Sequence, residues 1–592
     1  MAEFSTRPEL RGTFGMAAST HWIASAVGMG VLERGGNAFD AAVAMGFTLQ
    51  VVEPHLNGPG GEVPIILKPA GGEPVVLCGQ GPAPAAASPE AFAGMDRIPG
   101  SGVLPATVPG AFDAWLLLAR DHGTLPLRDL LEPAIGYAGG GYPVLPQIAA
   151  KVAEVREVFT GPWPSSAALW LPGGRVPEAG SMHRNPALAG TYRRLVEEAE
   201  AAGGGREAVI DAARRVWREG FVAEAIAAFC SRPVPSGTGE PQRALLTADD
   251  LAGWSAGYEE TVRADYAGLT VHKTGPWGQG PVFLQQLRLA EALGTGDADV
   301  LSADFAHLVT EAAKLAFADR DAHYADPRFA DVPLEALLSP GYAAERAALV
   351  GAEASLELRP GAPGGRAPFI PEAAEAGTSP GADRTGGEPT VDRTGTQRGD
   401  TCHLDVVDAA GNMVAATPSG GWLASSPVIP ELGFPLGTRG QMFWLDPRSP
   451  GVVAPGKRPR TTLTPTLVTR GGEGVMALGT PGGDQQDQWS LTFFLRLVHG
   501  GMDLQRAIDA PMFHTNALVG SFFPREISPG ELVVEERIGE RAIAELRRRG
   551  HRVVVSDPWS LGRLSAVARD PETGVLRAGA NPRGMQGYAV GR

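Results

Sequence analysis

The spacing of apolar residues changes along the chain, and each spacing predicts a different kind of element. Residues 22–33 (WIASAVGMGVLE) read as a helix ending at Gly35-Gly36, a pair suited to a C-cap. Asn37 can cap a second helix running to about Val52, so the two make an αα-hairpin. Asn57-Gly58-Pro59-Gly60-Gly61 cannot be helical and reads as a tight loop. Short apolar runs at 63–68 (VPIILK) and 74–78 (PVVLC) suit buried strands. From 100 to 350 the pattern is mainly helical. Its clearest member is 303–324, where Phe305, Leu308, Ala312, Leu315 and Ala316 share one face and Pro327 closes the segment.

Residues 351–399 break this pattern. They are rich in Gly, Pro, Ala, Glu and Thr and poor in large apolar groups, so they cannot bury enough surface to offset their ordering entropy. A mobile linker is the expectation. Beyond it the texture is that of strands: 402–407 and 413–417 flank a turn at 408–412, and 466–470 and 475–480 flank Gly471-Gly472-Glu473-Gly474. A helix at about 485–498 stops at Gly500-Gly501. A strand (532–535), a helix (538–549), a strand (552–555) and a hairpin across 570–574 complete the chain, with no internal repeat.

Composition narrows the function classes. A chain of 592 residues with 43% apolar content can bury a large core without staples. A net charge of -15 argues against nucleic acid as partner. Cys78, Cys230 and Cys402 make neither a disulfide framework nor a zinc pair. Met1 to Gly12 holds no apolar signal region, and no apolar run reaches the roughly 18 residues that span a bilayer. The expectation is a cytoplasmic protein without a membrane partner.

No metal or cofactor is expected. The His residues have no ligand spacing, and neither a phosphate loop nor a G-x-S-x-G elbow occurs. What remains is the junction where the linker ends at Asp400 and a strand begins at Thr401. A cut there would give Thr401 a free α-amine, with a pKa of about 8, beside its own hydroxyl. Such an amine can take the hydroxyl proton, and the same hydroxyl can attack the Asp400 carbonyl in the precursor. Pro481-Gly482-Gly483 ends a strand, where glycine lets backbone N–H groups approach a reacting carbonyl as an oxyanion hole. Taken alone, each feature also reads as an ordinary strand start or turn.

Several stretches together resemble the γ-glutamyltranspeptidase family of N-terminal-nucleophile hydrolases. They are residues 35–44 (GGNAFDAAVA), residues 311–320 (EAAKLAFADR), Thr401-Cys402-His403 with residues 408–412 (DAAGN), Lys457-Arg458-Pro459, Pro465-Thr466 and Pro481-Gly482-Gly483. The resemblance implies an α/β fold, an αββα four-layer sandwich. It implies a precursor cut into a large subunit (1–351) and a small one (401–592), with 352–400 a linker ending at the cleavage site. The two subunits would stay together as a heterodimer, and pairing of two heterodimers is left open. Thr401 would be the nucleophile and Gly482 and Gly483 the oxyanion donors. Ser419 would support the Thr401 amine and hydroxyl. Thr461 and Thr462 stand where the family usually has two serines on the substrate carboxylate, and Gln441 occupies a substrate-pocket position.

Departures from the family loosen the substrate. Gln80 stands where the family's glutamyl-binding arginine is expected, Trp444 follows Gln441 where an acid is expected, and Gly421 replaces an asparagine. Each lost charge-assisted contact is worth roughly 1.5–3 kcal/mol, so two would weaken recognition of a glutamyl zwitterion roughly a hundredfold or more. Arg439, Arg458 or Arg460 can supply a cation from another direction, and Phe443 and Trp444 suit either an apolar wall or the core. The favoured reading is hydrolysis of a small acyl or amide compound through an ester on Thr401. True γ-glutamyl transfer or hydrolysis, cleavage of an activated C–C bond in a natural product, nucleophilic Cys402 after a cut one residue later, and an inactive ligand binder stay open.

Overall fold

The computed structural model describes residues 5–372, 374–375, 401–585 and 587–592. Among these, two seven-stranded antiparallel sheets dominate. Their strands in chain order are β1 (Leu10–Gly12), β2 (Gly15–Ser19), β3 (Val63–Lys68), β4 (Val75–Gly79), β5 (Gly257–Glu260), β6 (Val262–Tyr266) and β7 (Leu269–Lys273), then β8 (Leu404–Asp408), β9 (Met413–Ala416), β10 (Thr466–Arg470), β11 (Glu473–Gly479), β12 (Ser565–Arg569), β13 (Leu576–Ala580) and β14 (Tyr588–Gly591). One sheet runs β14-β2-β8-β9-β3-β4-β5 and the other β1-β13-β12-β11-β10-β7-β6. Both sheets are built from the two sides of the 376–400 segment.

The sheets pack face to face through a mixed apolar layer. Met16, Ile66, Val407 and Ala415 come from the first, and Leu467, Ala477, Val567 and Ala578 from the second. Their outer faces are covered by helices. On the first sheet, α1 (Trp22–Glu33) and α2 (Ala38–Val52) meet Ala17, Ile65, Leu404 and Val414. On the second, α3 (Ala303–His323) and α4 (Gln486–Val498) meet Val271, Val468, Met476 and Ala566. This is the expected αββα order of layers.

Local chemistry sets the expected boundaries. Gly35 ends α1 with a φ of 92°, where a side chain would be strained. The Asn37 side chain accepts from the Phe39 and Asp40 N–H groups, and Asp40 returns a bond to Asn37, a full capping box for α2. The β10–β11 turn is tighter than its four-residue glycine run predicts. Arg470 pairs with Glu473, and Gly471 and Gly472 both have positive φ, which suits a two-residue hairpin loop. Sequence patterning missed β5, β6 and β7 inside the largely helical middle of the chain. β5 is a mostly exposed edge strand (GYEE), so it carries no apolar signal.

The expected linker does not begin as a free spacer. Residues 351–361 lie along α3, bonded to its side chains. His307 Nε2 donates to the Gly351 carbonyl at 2.9 Å, and Lys314 Nζ to the Ser355 carbonyl at 3.0 Å. Glu311 accepts from the Ser355 N–H and from Arg359, and Asp319 accepts from the Gly361 N–H at 2.7 Å. His323 Nε2 reaches the Gly361 carbonyl at 2.9 Å. Composition hid this strap because its partners are buried polar groups of α3, not apolar residues of its own. Of the rest of the expected linker, residue 373 and residues 376–400, Asp400 included, lie outside the described residues.

Candidate active site

β8 and the residues leading into it are sorted by face. Cys402, Leu404 and Val406 point into the helical layer, and the alternate positions point between the sheets. His403 lies under β11, where a Cβ on Gly479 would run into its ring. His403 Nε2 bonds Asp405 at 2.9 Å, and Asp405 accepts from Ser565 Oγ at 2.8 Å. Thr401 therefore starts a polar row on the inner face. It is fully buried, and its backbone bridges to Ser419.

This row continues across the sheet end. Thr401 Oγ1 donates to Ser419 Oγ at 3.3 Å. Ser419 in turn bridges to Glu62 through 2.9 and 3.0 Å backbone bonds. Arg439 clamps both: Nη2 donates to Ser419 Oγ at 3.0 Å and the guanidinium pairs with Glu62. Burial raises the Glu62 carboxyl, and the Arg439 charge opposes that rise. The β3–β4 register, Val63 opposite Gly79, puts Gln80 next in line after Glu62. Gln80 is fully buried, its Nε2 donates to the Gly81 carbonyl at 3.2 Å, and its Oε1 has no partner among the described residues.

Glycines make the close approach possible. A Cβ on Gly61 would strike the Ser419 carbonyl, and one on Gly421 would lie 2.8 Å from the Gly60–Gly61 backbone. Gly421 also has a φ of 63°, so an asparagine there would be both strained and crowded. Beyond β11, Gly482 has a φ of 130°, and a Cβ on it would enter the Trp489 ring. Gly483 opens the short 3-10 turn that leads into α4. The first N–H groups of such a helix lack intrahelical partners and carry positive partial charge. Thr480 ties this loop to the Thr401 end: its Oγ1 accepts from the Arg563 N–H at 3.1 Å, and the Arg563 charge acts on Glu53, which accepts from the Cys402 thiol at 2.9 Å.

Glu53 and Cys402 form the reverse side of the row. Glu53 also accepts from Thr20 Oγ1 at 2.6 Å, and Asn57 Nδ2 donates to Cys402 Sγ at 3.1 Å. Burial pushes the Glu53 carboxyl up to about 7, against the hydrogen bonds it receives. Burial, then the neighbouring Glu53, raises the Cys402 thiol well above its usual range. A protonated thiol on the helical face is a poor nucleophile.

The remaining expected residues divide. Thr461 Oγ1 accepts the Leu463 N–H at 3.3 Å and so serves a turn, while the buried Thr462 Oγ1 has no partner among the described residues. Gln441 Nε2 is held by the Gly100 and Thr438 carbonyls, and its Oε1 accepts from the Phe523 N–H at 3.2 Å. Phe443 packs in a core cluster with Phe92, Ile98 and Val453. Trp444 stays half-buried, stacked on Arg525 at 4.0 Å and against Phe369. Arg458 is committed to Asp326 and Glu259.

Sequence reasoning missed Glu53, Glu62 and Arg525. The first two had a signal, being lone acids in the apolar stretch 41–68. The fold also assembles one group that spacing could not show. Ligand atoms of His307, Glu311 and His551 lie within 4.8 Å of one another. Glu311 already serves Lys314, Arg359 and the Ser355 N–H, and His307 Nδ1 bonds His551 Nε2 at 2.9 Å. Two cations beside the carboxylate make it a poor place for a third.

Residues 24–591 match the gamma-glutamyltranspeptidase family. The chain belongs to that family. It is similar to the oxamate amidohydrolase proenzyme of Klebsiella pneumoniae subsp. pneumoniae, at 33% identity with 98% of each chain covered. The solved structure of LmbA2991HD is 56% identical with a TM-score of 0.93 and full coverage of both chains. That of the cephalosporin acylase from Bacillus halodurans is 30% identical with a TM-score of 0.82, covering 100% of this chain and 98% of that one. Relatives in this family are named as proenzymes, amidohydrolases and acylases, and this chain is an enzyme of the family with hydrolase activity. Among the described residues, no helix is long and apolar enough to cross a membrane.

Proposed function

We propose that the protein cuts itself between Asp400 and Thr401, and that Thr401 then hydrolyses a small amide or acyl compound. One observation supports this above the rest: the Thr401 hydroxyl points to the inner face and bonds Ser419, which Arg439 and Glu62 hold in place. In the reaction, the freed α-amine takes the hydroxyl proton as Thr401 Oγ bonds to the acyl carbon. The Gly482 and Gly483 N–H groups receive the oxyanion. Collapse expels the amine, which leaves with that proton, and water then cleaves the ester and regenerates the hydroxyl. Gln441 and Trp444 line the substrate side. Neutral Gln80 beside Glu62 does not favour a glutamyl α-carboxylate at that position.

Denaturing electrophoresis tests the reading. Purified protein should give two fragments, with the smaller starting at Thr401, and Thr401→Ala should give one chain without activity. Full activity in an uncut chain would overturn it. Cys402→Ser should still be cut.

A further inference from the structure

Three arginines gather at the far end of α4 from Gly482-Gly483. Arg496 stands in the last turn of α4 and is 1% exposed, and Arg583 is equally buried. Arg537 lies beside them with a side chain 22% exposed. All three grip the C-terminal end of the short helix Leu504–Asp509 and the two residues after it. Arg583 Nη1 donates to the Ile508 carbonyl at 2.7 Å and Arg537 Nη1 to the Asp509 carbonyl at 2.9 Å. Arg496 donates to the Ala510 and Pro511 carbonyls at 3.5 and 2.5 Å. The negative end of a helix suits cations, so this much is framework.

Carbonyls do not supply a full counter-charge. Among the described residues Glu535 is the one carboxylate paired with the group. It accepts from Arg583 Nε at 2.9 Å and from Arg537 Nη2 at 2.6 Å. The Asp509 carboxylate is taken up by the Thr6 N–H and by Gln505. Three guanidinium groups thus share one paired acid. Burial, then the Arg583 charge, brings Arg496 down to about 9 against the pull of Glu535, so it stays charged at neutral pH. Hydrogen bonding is also incomplete: Arg496 Nε and Arg537 Nε are buried without a partner among the described residues. Buried guanidinium donors are ordinarily met, and an unmet one is costly.

Arg496 and Arg537 line one cavity of about 170 Å³. Its other walls are mostly apolar and include Val300, Leu301, Phe513 and Ile538. An apolar cavity of about 150 Å³ takes up benzene, so this one has room for a ring or short chain with one charged head. Trp559 stacks on the same group, its ring centre 3.4 Å from the Arg537 guanidinium and 5.5 Å from that of Arg583. Its φ of 65° is a region bulky side chains rarely enter, and such strain clusters at functional sites.

We propose that this cavity binds a small organic anion, a carboxylate or phosphate head on a ring or short chain. The head pairs with Arg496 and Arg537, and the body packs against Val300 and Phe513. α4 has 13 residues, so its length of about 20 Å separates this site from the Gly482-Gly483 turn. The proposal therefore does not depend on Thr401 as the nucleophile.

Thermal melting of the purified enzyme tests the site. Benzoate, phenyl phosphate or both should raise the melting midpoint in a concentration-dependent way, and the better of the two assigns the head. Benzamide keeps the ring without the charge, and acetate and inorganic phosphate keep the charge without the ring. Each should need at least about tenfold more to give the same rise. No response to either aromatic anion overturns the proposal, as does an equal response to benzamide or to the bare anions. Arg496→Met and Arg537→Met should each raise the concentration required by about tenfold to a hundredfold. Arg537 reaches the surface, so its variant keeps the test if Arg496→Met folds poorly. An unchanged response in a folded variant overturns the site. Thr401→Ala should respond as the wild type does. A response lost in Thr401→Ala and kept in the arginine variants would put the anion at the candidate active site, overturning this proposal while sparing the nucleophile reading.

Discussion

Two buried arginines near the candidate site stand in opposite circumstances. Arg439 pairs with Glu62 and donates to Ser419, and it is fully buried. Arg525 is nearly as buried, yet among the described residues it holds two backbone carbonyls and the face of Trp444, with no carboxylate. Both are cations removed from water, so both carry a large desolvation cost. In the first the protein offsets that cost itself, and the arginine is framework. In the second the compensation supplied by the described residues is incomplete. Burial alone does not separate the two. The completeness of their pairing does.

Replacement of either arginine breaks the comparison most directly. Arg439→Met strands the Glu62 carboxylate in a dry site and should cost about 3–5 kcal/mol, read as a lower urea midpoint. A cost below about 1 kcal/mol would mean the clamp is not framework. Glu53→Gln probes the reverse side of the row by pH. The folded protein keeps the Glu53 proton up to about pH 7, whereas the unfolded chain releases it near the ordinary carboxyl value of about 4.5. Stability should thus fall as pH rises through that window, by about 3 kcal/mol at most. The glutamine variant should show a flatter profile between pH 5 and 8; an unchanged profile would remove Glu53 as its source. Arg525→Met should alter the melting midpoint little, within about 1 kcal/mol in either direction, because the cation it removes was under-compensated. A loss as large as that of Arg439→Met would erase the distinction. Cys402→Ser should be the mildest, about 1 kcal/mol or less in urea, since a hydroxyl can still donate to Glu53.

The sequence revealed the parts of this molecule whose causes are local. Asn37 and Gly35 bound α1 and α2 because caps act within a few residues. The β8–β9 and β10–β11 hairpins were legible for the same reason, although β8 begins at Leu404 and Thr401 stands just before it. Sequence alone could not show which cations are spent. Arg439, Arg458 and Arg460 read alike, and only Glu62, Asp326 and Glu259, drawn from distant parts of the chain, tell them apart. Arg525 sits in a loop with no periodicity, so nothing local marked it. The strap on α3 was hidden because polar bonds from the partner helix substitute for the apolar residues it lacks.

The two faces of β8 carry one further consequence. Thr401 and Cys402 are adjacent hydroxyl and thiol side chains, and strand parity alone decides which of them enters the space between the sheets. A slip of β8 by one residue would turn the thiol inward and set a threonine against Glu53. β8 is paired on both edges, to β2 and to β9, so such a slip would have to break two ladders at once. The interior position of the strand thus fixes the element, oxygen or sulfur, that faces the space between the sheets.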